Sequence, residues 1–345
     1  MFGHFSTRGF KEYLKVARQI LDGNWTGSYT RPSPSLYPHQ WNWDSAFIAI
    51  GYAHYNEKRA QQEILSLFAH QWPNGMVPQI VFNPRALGSY FPEPDFWQVP
   101  DGMLTSGITM PPLHAVACLH ICEKAENKNN ARAFLKTMFP KLMASHRYFY
   151  QHRDPDRSGL VYIRHPWESG LDNSPAWDRP LKNIEIDKTG LPHYERKDLK
   201  HGVPAEQRPS DEDYDRYVYL VDIFRRLKYR EEEIYRSCPF LVQDVLFNSI
   251  LCKANHDLLE IGRILKEDFD ARNFINSSEV IIVPEKNKVF LSQIFKWYKK
   301  DFGGKKRILQ FLLKYLSEGE KSKFCRNHMD SITIEYLFYD WNLNH

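Results

Sequence analysis

The sequence predicts an all-α fold of packed helical hairpins, closed into a toroid rather than opened into a solenoid. Three observations carry this. Apolar residues return at helical spacing in segment after segment. Strand signals are confined to Val161-Tyr162-Ile163 and Val280–Val283. No fixed-period repeat runs through the chain, which removes the stacked units of a solenoid. Layered helices remain as the architecture.

The helices can be justified in order. Phe10, Tyr13, Leu14, Ala17, Ile20 and Leu21 share a face of the first, and Gly23 stops it. Asp44-Ser45 caps a second helix through Tyr55, and a third runs from Lys58 to Phe68, before Pro73-Asn74-Gly75. Pro111-Pro112 opens a fourth, with Leu113, Val116, Ala117 and Leu119 following. A fifth spans Ala131 to His152 and is open to a kink at Pro140. Ser210 and the acids Asp211, Glu212 and Asp213 start a helix through Leu227. Cys238 to Leu265 reads as one long helix or two short ones. Weaker helical patterns cover Leu291–Lys300, Lys306–Leu316 and the C-terminus.

Length and composition set the outer bounds. The 345 residues fit one large domain or two ordinary ones. With 42% hydrophobic and 26% charged residues, global disorder is excluded. A net charge of +4 is too mild to argue for nucleic acid or membrane as a partner. No apolar run reaches the roughly 18 residues of a membrane span, and the N-terminus lacks a signal-peptide core. Five cysteines, an odd count without a CxxC pair, read as buried thiols of a reducing, cytoplasmic setting rather than disulfides or metal ligands. Nineteen of the 21 prolines lie at or before Pro209, and seven of nine tryptophans lie between Trp25 and Trp177. The first two-thirds are therefore helices joined by long aromatic loops, while the last quarter is lysine-rich and plainer.

Function is expected on those loops. One runs His165-Pro166-Trp167-Glu168-Ser169-Gly170-Leu171-Asp172-Asn173-Ser174-Pro175-Ala176-Trp177-Asp178. It carries three carboxylates and two indoles without helical or strand period. Glycoside cleavage needs a carboxylic acid that holds its proton near neutral pH, and an apolar pocket beside tryptophan raises a carboxyl that way. A loop with turn-forming Asn and Ser and solvated carboxylates accounts for the same residues. The other loop holds Tyr37, Trp41, Trp43 and Asp44 in a WxWD pattern. Indoles stack on the apolar face of a pyranose, and a carboxylate accepts hydrogen bonds from vicinal hydroxyls. Two core tryptophans and an N-cap Asp are the alternative. Gln79, in the turn after Asn74-Gly75, divides evenly between loop packing and a site contact.

Two metal-like patterns fail on inspection. Asp154 to Gly159 mimics half of an EF-hand loop, but proline occupies its second position and histidine its twelfth, so a turn is expected. His114 and His120 are not at the i, i+4 spacing of a helical zinc pair, and no HExxH occurs. No cofactor and no metal are expected.

The segments LYPHQWNWDSAF, NGMVPQI, HPWESGLDNSPAWD, DYDRYVYLV and RSCPFLVQDVLFNSILCKANHDL together resemble the mannosylglycerate and glucosylglycerate hydrolases of glycoside hydrolase family 63, over about residues 8–265. The ESGxDxS core is also similar to the α,α-trehalase motif. The resemblance implies an (α/α)6 barrel and an inverting mechanism. It implies Asp172 as general acid, Tyr37, Trp41, Trp43 and Asp44 as a sugar-binding loop, and Trp167 and Asn173 at the site. It implies Arg216 and Tyr217 near a glycerate carboxylate, which suits an arginine fork. Glu168 is expected to orient its loop, and Asp244 to be a buried helix polar group.

An inverting glycosidase needs a second carboxylate, about 6.5–9.5 Å from the acid. The family's YWRGPVW-like segment is not found, and the one late Glu-Tyr, at Glu335, lacks the following Asp-Pro, so an amphipathic C-terminal helix with Ile332, Leu337 and Phe338 inward is the better reading there than a catalytic base. A single catalytic-type domain over 1–345 is therefore expected, with 266–345 divergent or truncated and about ten of twelve helices present. Unpartnered apolar faces on the last helices would invite a partner chain, such as a second copy. The expected activity is hydrolysis of a small α-linked glucoside or mannoside. A trehalase-like enzyme and an inactive, truncated sugar-binding protein are the rivals.

Overall fold

The computed structural model describes residues 7–201 and 208–266. Ten helices occur among them: α1 (Thr7–Asn24), α2 (Asn42–Ala53), α3 (Glu57–Phe68), α4 (Pro94–Trp97), α5 (His114–Lys124), α6 (Lys128–His152), α7 (Asp178–Lys182), α8 (Asp211–Arg226), α9 (Glu231–Ser237) and α10 (Val245–Leu265). Among the described residues, backbone contacts gather those up to Arg157 and those from Val161 onward into one compact unit. Within it α2, α5 and α10 lie side by side, and α3 and α6 pack behind them and against each other. This is the layered hairpin packing that the helical periodicity predicts.

The caps explain where the helices start. Asn56 Oδ1 accepts from the Arg59 amide ahead of α3, and Asn127 Oδ1 accepts from the Asn129 and Asn130 amides ahead of α6. Ser210 Oγ accepts from the Asp213 amide, and the three acids of the first turn of α8 face its positive dipole end. α6 runs through Pro140 unbroken.

Two expectations are corrected. α2 begins at Asn42, so Asp44 sits in its first turn and Trp41 is the N-cap, without a side-chain cap bond. The stretch from Cys238 to Asp244 is not helical. Val242 forms a two-way backbone bridge with Ile163, and Asp244 caps α10 by accepting from the Phe247 amide at 2.8 Å. Asp244 is thus a helix start rather than an interior polar group. The helix read at α1 is present, and Tyr13 and Ile20 on it are 64% and 56% exposed. Val280–Val283, the helices expected after residue 266, Cys325 and Glu335 lie outside the described residues.

One small sheet went unanticipated. β1 (Gln40–Trp41) pairs antiparallel with β2 (Ile80–Val81), Gln40 opposite Val81 and Trp41 opposite Ile80. It is too short for a strand period to register, yet it fixes the aromatic loop against the segment after Gly75. Among the described residues no cysteine is in a disulfide, and burial pushes the Cys238 and Cys252 thiols up to about 12. No described helix is long and apolar enough to cross a membrane.

Candidate active site

The site is assembled from both aromatic loops. Pro166–Ser169 forms a single 3-10 turn that Gly170 ends at φ 71°. A Cβ at Gly170 would lie 2.3 Å from Cζ2 of Trp43, so the glycine is required twice, by its left-handed backbone and by an indole seated against it. The ESG motif and the WxWD motif therefore touch.

Glu168 is completely buried. Arg153 grips it through Nη1 to Oε2 at 2.9 Å and Nη2 to Oε1 at 2.8 Å. The Thr109 amide donates to Oε1 at 3.2 Å and the Arg164 amide to Oε2 at 2.6 Å. Burial by itself would raise this carboxyl, but the Arg153 charge and these donors outweigh it and hold it below the usual glutamate range. Every strong acceptor position is taken, so Glu168 binds the loop to α6 and its neighbours. Arg153 continues the network to the Tyr148 hydroxyl at 2.9 Å, which in turn donates to Glu231 at 3.0 Å.

Asp172 follows, two residues past the turn. The Tyr217 hydroxyl donates to its backbone carbonyl at 3.0 Å, and Trp177 Nε1 donates to the Leu171 carbonyl at 2.8 Å. The Asp172 side chain lines a cavity and stays open to solvent on that side, while protein atoms crowd it elsewhere. Desolvation pushes its carboxyl up to about 7; the charge of Asp44 adds to this and Arg208 opposes it. Burial likewise lifts Asp44 to about 6. The charge of Asp44, in the first turn of α2, thus reaches Asp172 in the other motif, and Asp172 is the one placed to hold a proton at neutral pH.

Aromatic rings form the walls. Trp167 packs on His165 at 4.3 Å and on Tyr217 at 5.5 Å between ring centroids. Trp41 meets Tyr37 edge-on at 5.0 Å and Tyr90 at 5.3 Å. The cavity is lined by Tyr37, Tyr90, Phe91, Trp167, Asp172 and Asn173, together with Lys197, Asp198, Arg208 and Tyr214.

Of the residues singled out in the sequence, Tyr37, Trp167, Asp172 and Asn173 line this cavity directly. Trp41, Trp43, Asp44 and Tyr217 stand behind them in the contacts just described. Gln79 is buried at the start of β2. Its amide takes the Ile108 carbonyl at 2.7 Å, its carbonyl accepts from Asn42, and its Oε1 has no hydrogen-bond partner among the described residues. Arg216 does not line the cavity. Its Nη1 turns to Asp213 at 3.3 Å and Glu212 at 3.7 Å on its own helix. Arg208 is the guanidinium in the cavity wall. Sequence reasoning missed Arg208, Tyr90 and Tyr214. Tyr214 had a signal, lying one turn before Tyr217 on α8; Arg208 and Tyr90 stand in loops whose patterns point nowhere in particular. No group of three or more metal-ligating side chains occurs among the described residues.

A helical hairpin scaffold carrying a raised carboxyl in an aromatic cavity is the equipment of a glycosidase. The family model for the mannosylglycerate hydrolase MGH1-like glycoside hydrolase domain matches residues 37–281. The chain belongs to that family. It is 49% identical over 271 residues to the mannosylglycerate hydrolase of Rubrobacter radiotolerans, covering 76% of this chain and 61% of that one. It is 40% identical over 262 residues to the glucosylglycerate hydrolase of Mycolicibacterium hassiacum, covering 72% and 58%. The crystal structure of the family 63 mannosylglycerate hydrolase of Thermus thermophilus, in complex with Tris and D-glycerate, superposes with a TM-score of 0.73 at 47% identity. That match covers 80% of this chain and 66% of that one. The chain spans about three-fifths of the length of the curated relatives it matches.

Proposed function

We propose that this chain hydrolyses a small α-linked mannoside or glucoside with an anionic aglycone, such as mannosylglycerate or glucosylglycerate. Asp172 is the general acid of an inverting reaction. The observation that carries this is the pairing, in one aromatic cavity, of a carboxyl raised to about 7 with a guanidinium whose charge reaches it, Arg208. The raised carboxyl donates its proton to the leaving oxygen. Trp167 and Tyr37 offer ring faces to the sugar, and Asp44 accepts from its hydroxyls. Arg208 pairs with the aglycone carboxylate, the role the sequence had suggested for Arg216. A trehalase-like reading has no use for Arg208 and Lys197, because a neutral disaccharide gives them no charge to meet.

Inversion further requires a base across the sugar that activates water. The sequence offers Glu335 for this, and that residue is outside those described.

The test is hydrolysis of mannosylglycerate, glucosylglycerate and trehalose by the full chain, with the anomer released read by proton NMR. Asp172→Asn is expected to lose at least 1,000-fold in kcat, on the order of what removing a general acid costs, while retaining substrate binding. Arg208→Ala is expected to raise KM for the charged substrates more than tenfold and to leave trehalose unaffected. Unchanged turnover in Asp172→Asn, or equal effects of Arg208→Ala on all three substrates, would overturn the assignment.

A further inference from the structure

Away from the sugar site, the C-terminal end of α2 meets α5 through two histidines. His54 is the residue that ends α2, and His120 projects from α5. Their Nε2 atoms are 3.3 Å apart. Their ring centroids are 5.2 Å apart and the ring planes are tilted by 53°. His54 is exposed and His120 half-buried, so water reaches the pair. Nothing in the glycosidase reading uses them.

A simple hydrogen bond between two imidazoles has the rings meet nearly end on, one Nε2 donating to the other. The two nitrogens are within hydrogen-bond reach, but the approach is bent, with the centroids only 5.2 Å apart. A splayed approach of this kind is also that of two ligands of one ion. Two nitrogens bound to a tetrahedral zinc at about 2.05 Å lie about 3.3 Å from each other. The separation found between the Nε2 atoms is 3.3 Å.

From this geometry we propose that His54 and His120 form a two-histidine site for a borderline divalent transition metal such as Zn²⁺, with water completing the tetrahedron. Imidazole suits such ions. The carboxylate of Glu123 and the ammonium of Lys124 act on His120 with opposite signs. Searching for zinc ligands at i, i+4 on one helix does not find this site, because its two ligands come from different helices that tertiary packing brings together. A bound ion would tie the end of α2 to α5. α2 carries Asp44 in its first turn, so the tie stiffens an element that also serves the sugar site.

The test uses the full chain freed of metal by chelator, titrated calorimetrically with ZnCl₂. One equivalent is expected to bind the wild type. His54→Ala, His120→Ala and the volume-preserving His120→Gln are each expected to weaken that binding at least tenfold. His193→Ala, at an exposed loop histidine, is expected to leave it intact. Circular dichroism of the metal-free variants checks that they fold. A zinc-dependent rise in Tm should appear in the wild type and His193→Ala, and vanish in the pair variants. The proposal is overturned if the pair variants bind zinc as the wild type does, or if the wild type binds none up to millimolar zinc.

Discussion

Replacing Glu168 by Gln changes one atom's charge in a site that the structure makes unforgiving. The side chain is fully buried and accepts four hydrogen bonds, two of them from Arg153, whose side chain is itself 2% exposed. A glutamine keeps a single acceptor oxygen. Its NH₂ group must then face both an arginine Nη and a backbone N–H, donor against donor. Arg153 meanwhile loses its principal counter-charge; Glu231 stands 4.0 Å from its Nε. Removing one partner of a buried ion pair costs about 3–5 kcal/mol. That is a large share of the 5–15 kcal/mol or so that holds a domain together, and corresponds to a fall in Tm of about 10 °C.

Removing the charge together with its partner should cost less. Arg153→Met combined with Glu168→Gln leaves neither charge of this pair buried without the other, so the double variant should be more stable than the sum of the two single losses by about 2 kcal/mol. Urea denaturation followed by tryptophan fluorescence measures all four corners of the cycle. A loss below about 1 kcal/mol in Glu168→Gln, or strict additivity in the double variant, would refute the claim that this pair holds the Asp172 loop.

Two further predictions concern neighbouring features. Gly170→Ala should destabilise by about 1–3 kcal/mol, because alanine resists a φ of 71° and its Cβ collides with Trp43; thermal denaturation and sugar binding should both suffer, and an unchanged Tm with unchanged affinity would contradict the fit. Glu63 is buried among the Thr30 amide, the Ser45 hydroxyl and the Gln40 side chain, and burial lifts its carboxyl from 4.5 to about 7. The folded state therefore holds the proton more tightly than the unfolded one. The stability this group contributes is complete below pH 4.5 and is lost as pH rises through 7. Glu63→Gln should remove that loss, so the variant should gain about 3 kcal/mol on the wild type between pH 4.5 and 8 in paired urea titrations; a difference that stays constant with pH would count against the assignment.

The sequence by itself determined the helices, because helix formation is read from residues three and four apart and from caps that reach two or three residues. Ser210 and the acids after it announce α8 in this way. It also determined which loops matter, since two indoles and a carboxylate in each have no packing period to account for them. The tertiary structure alone decided how those loops meet. Nothing local in HPWESG says that Gly170 must leave room for Trp43, 127 positions away, or that Glu168 will be held by Arg153 at the C-terminal end of α6. Nor does any pattern distinguish Arg208, in the cavity, from Arg216, which turns to the acids of its own helix. The same applies to α1, whose apolar stripe is helical as read but faces outward. Periodicity reports which side chains share a face. Which face is buried, and which charge meets which, depends on partners distant in sequence, and only their packing in space selects them.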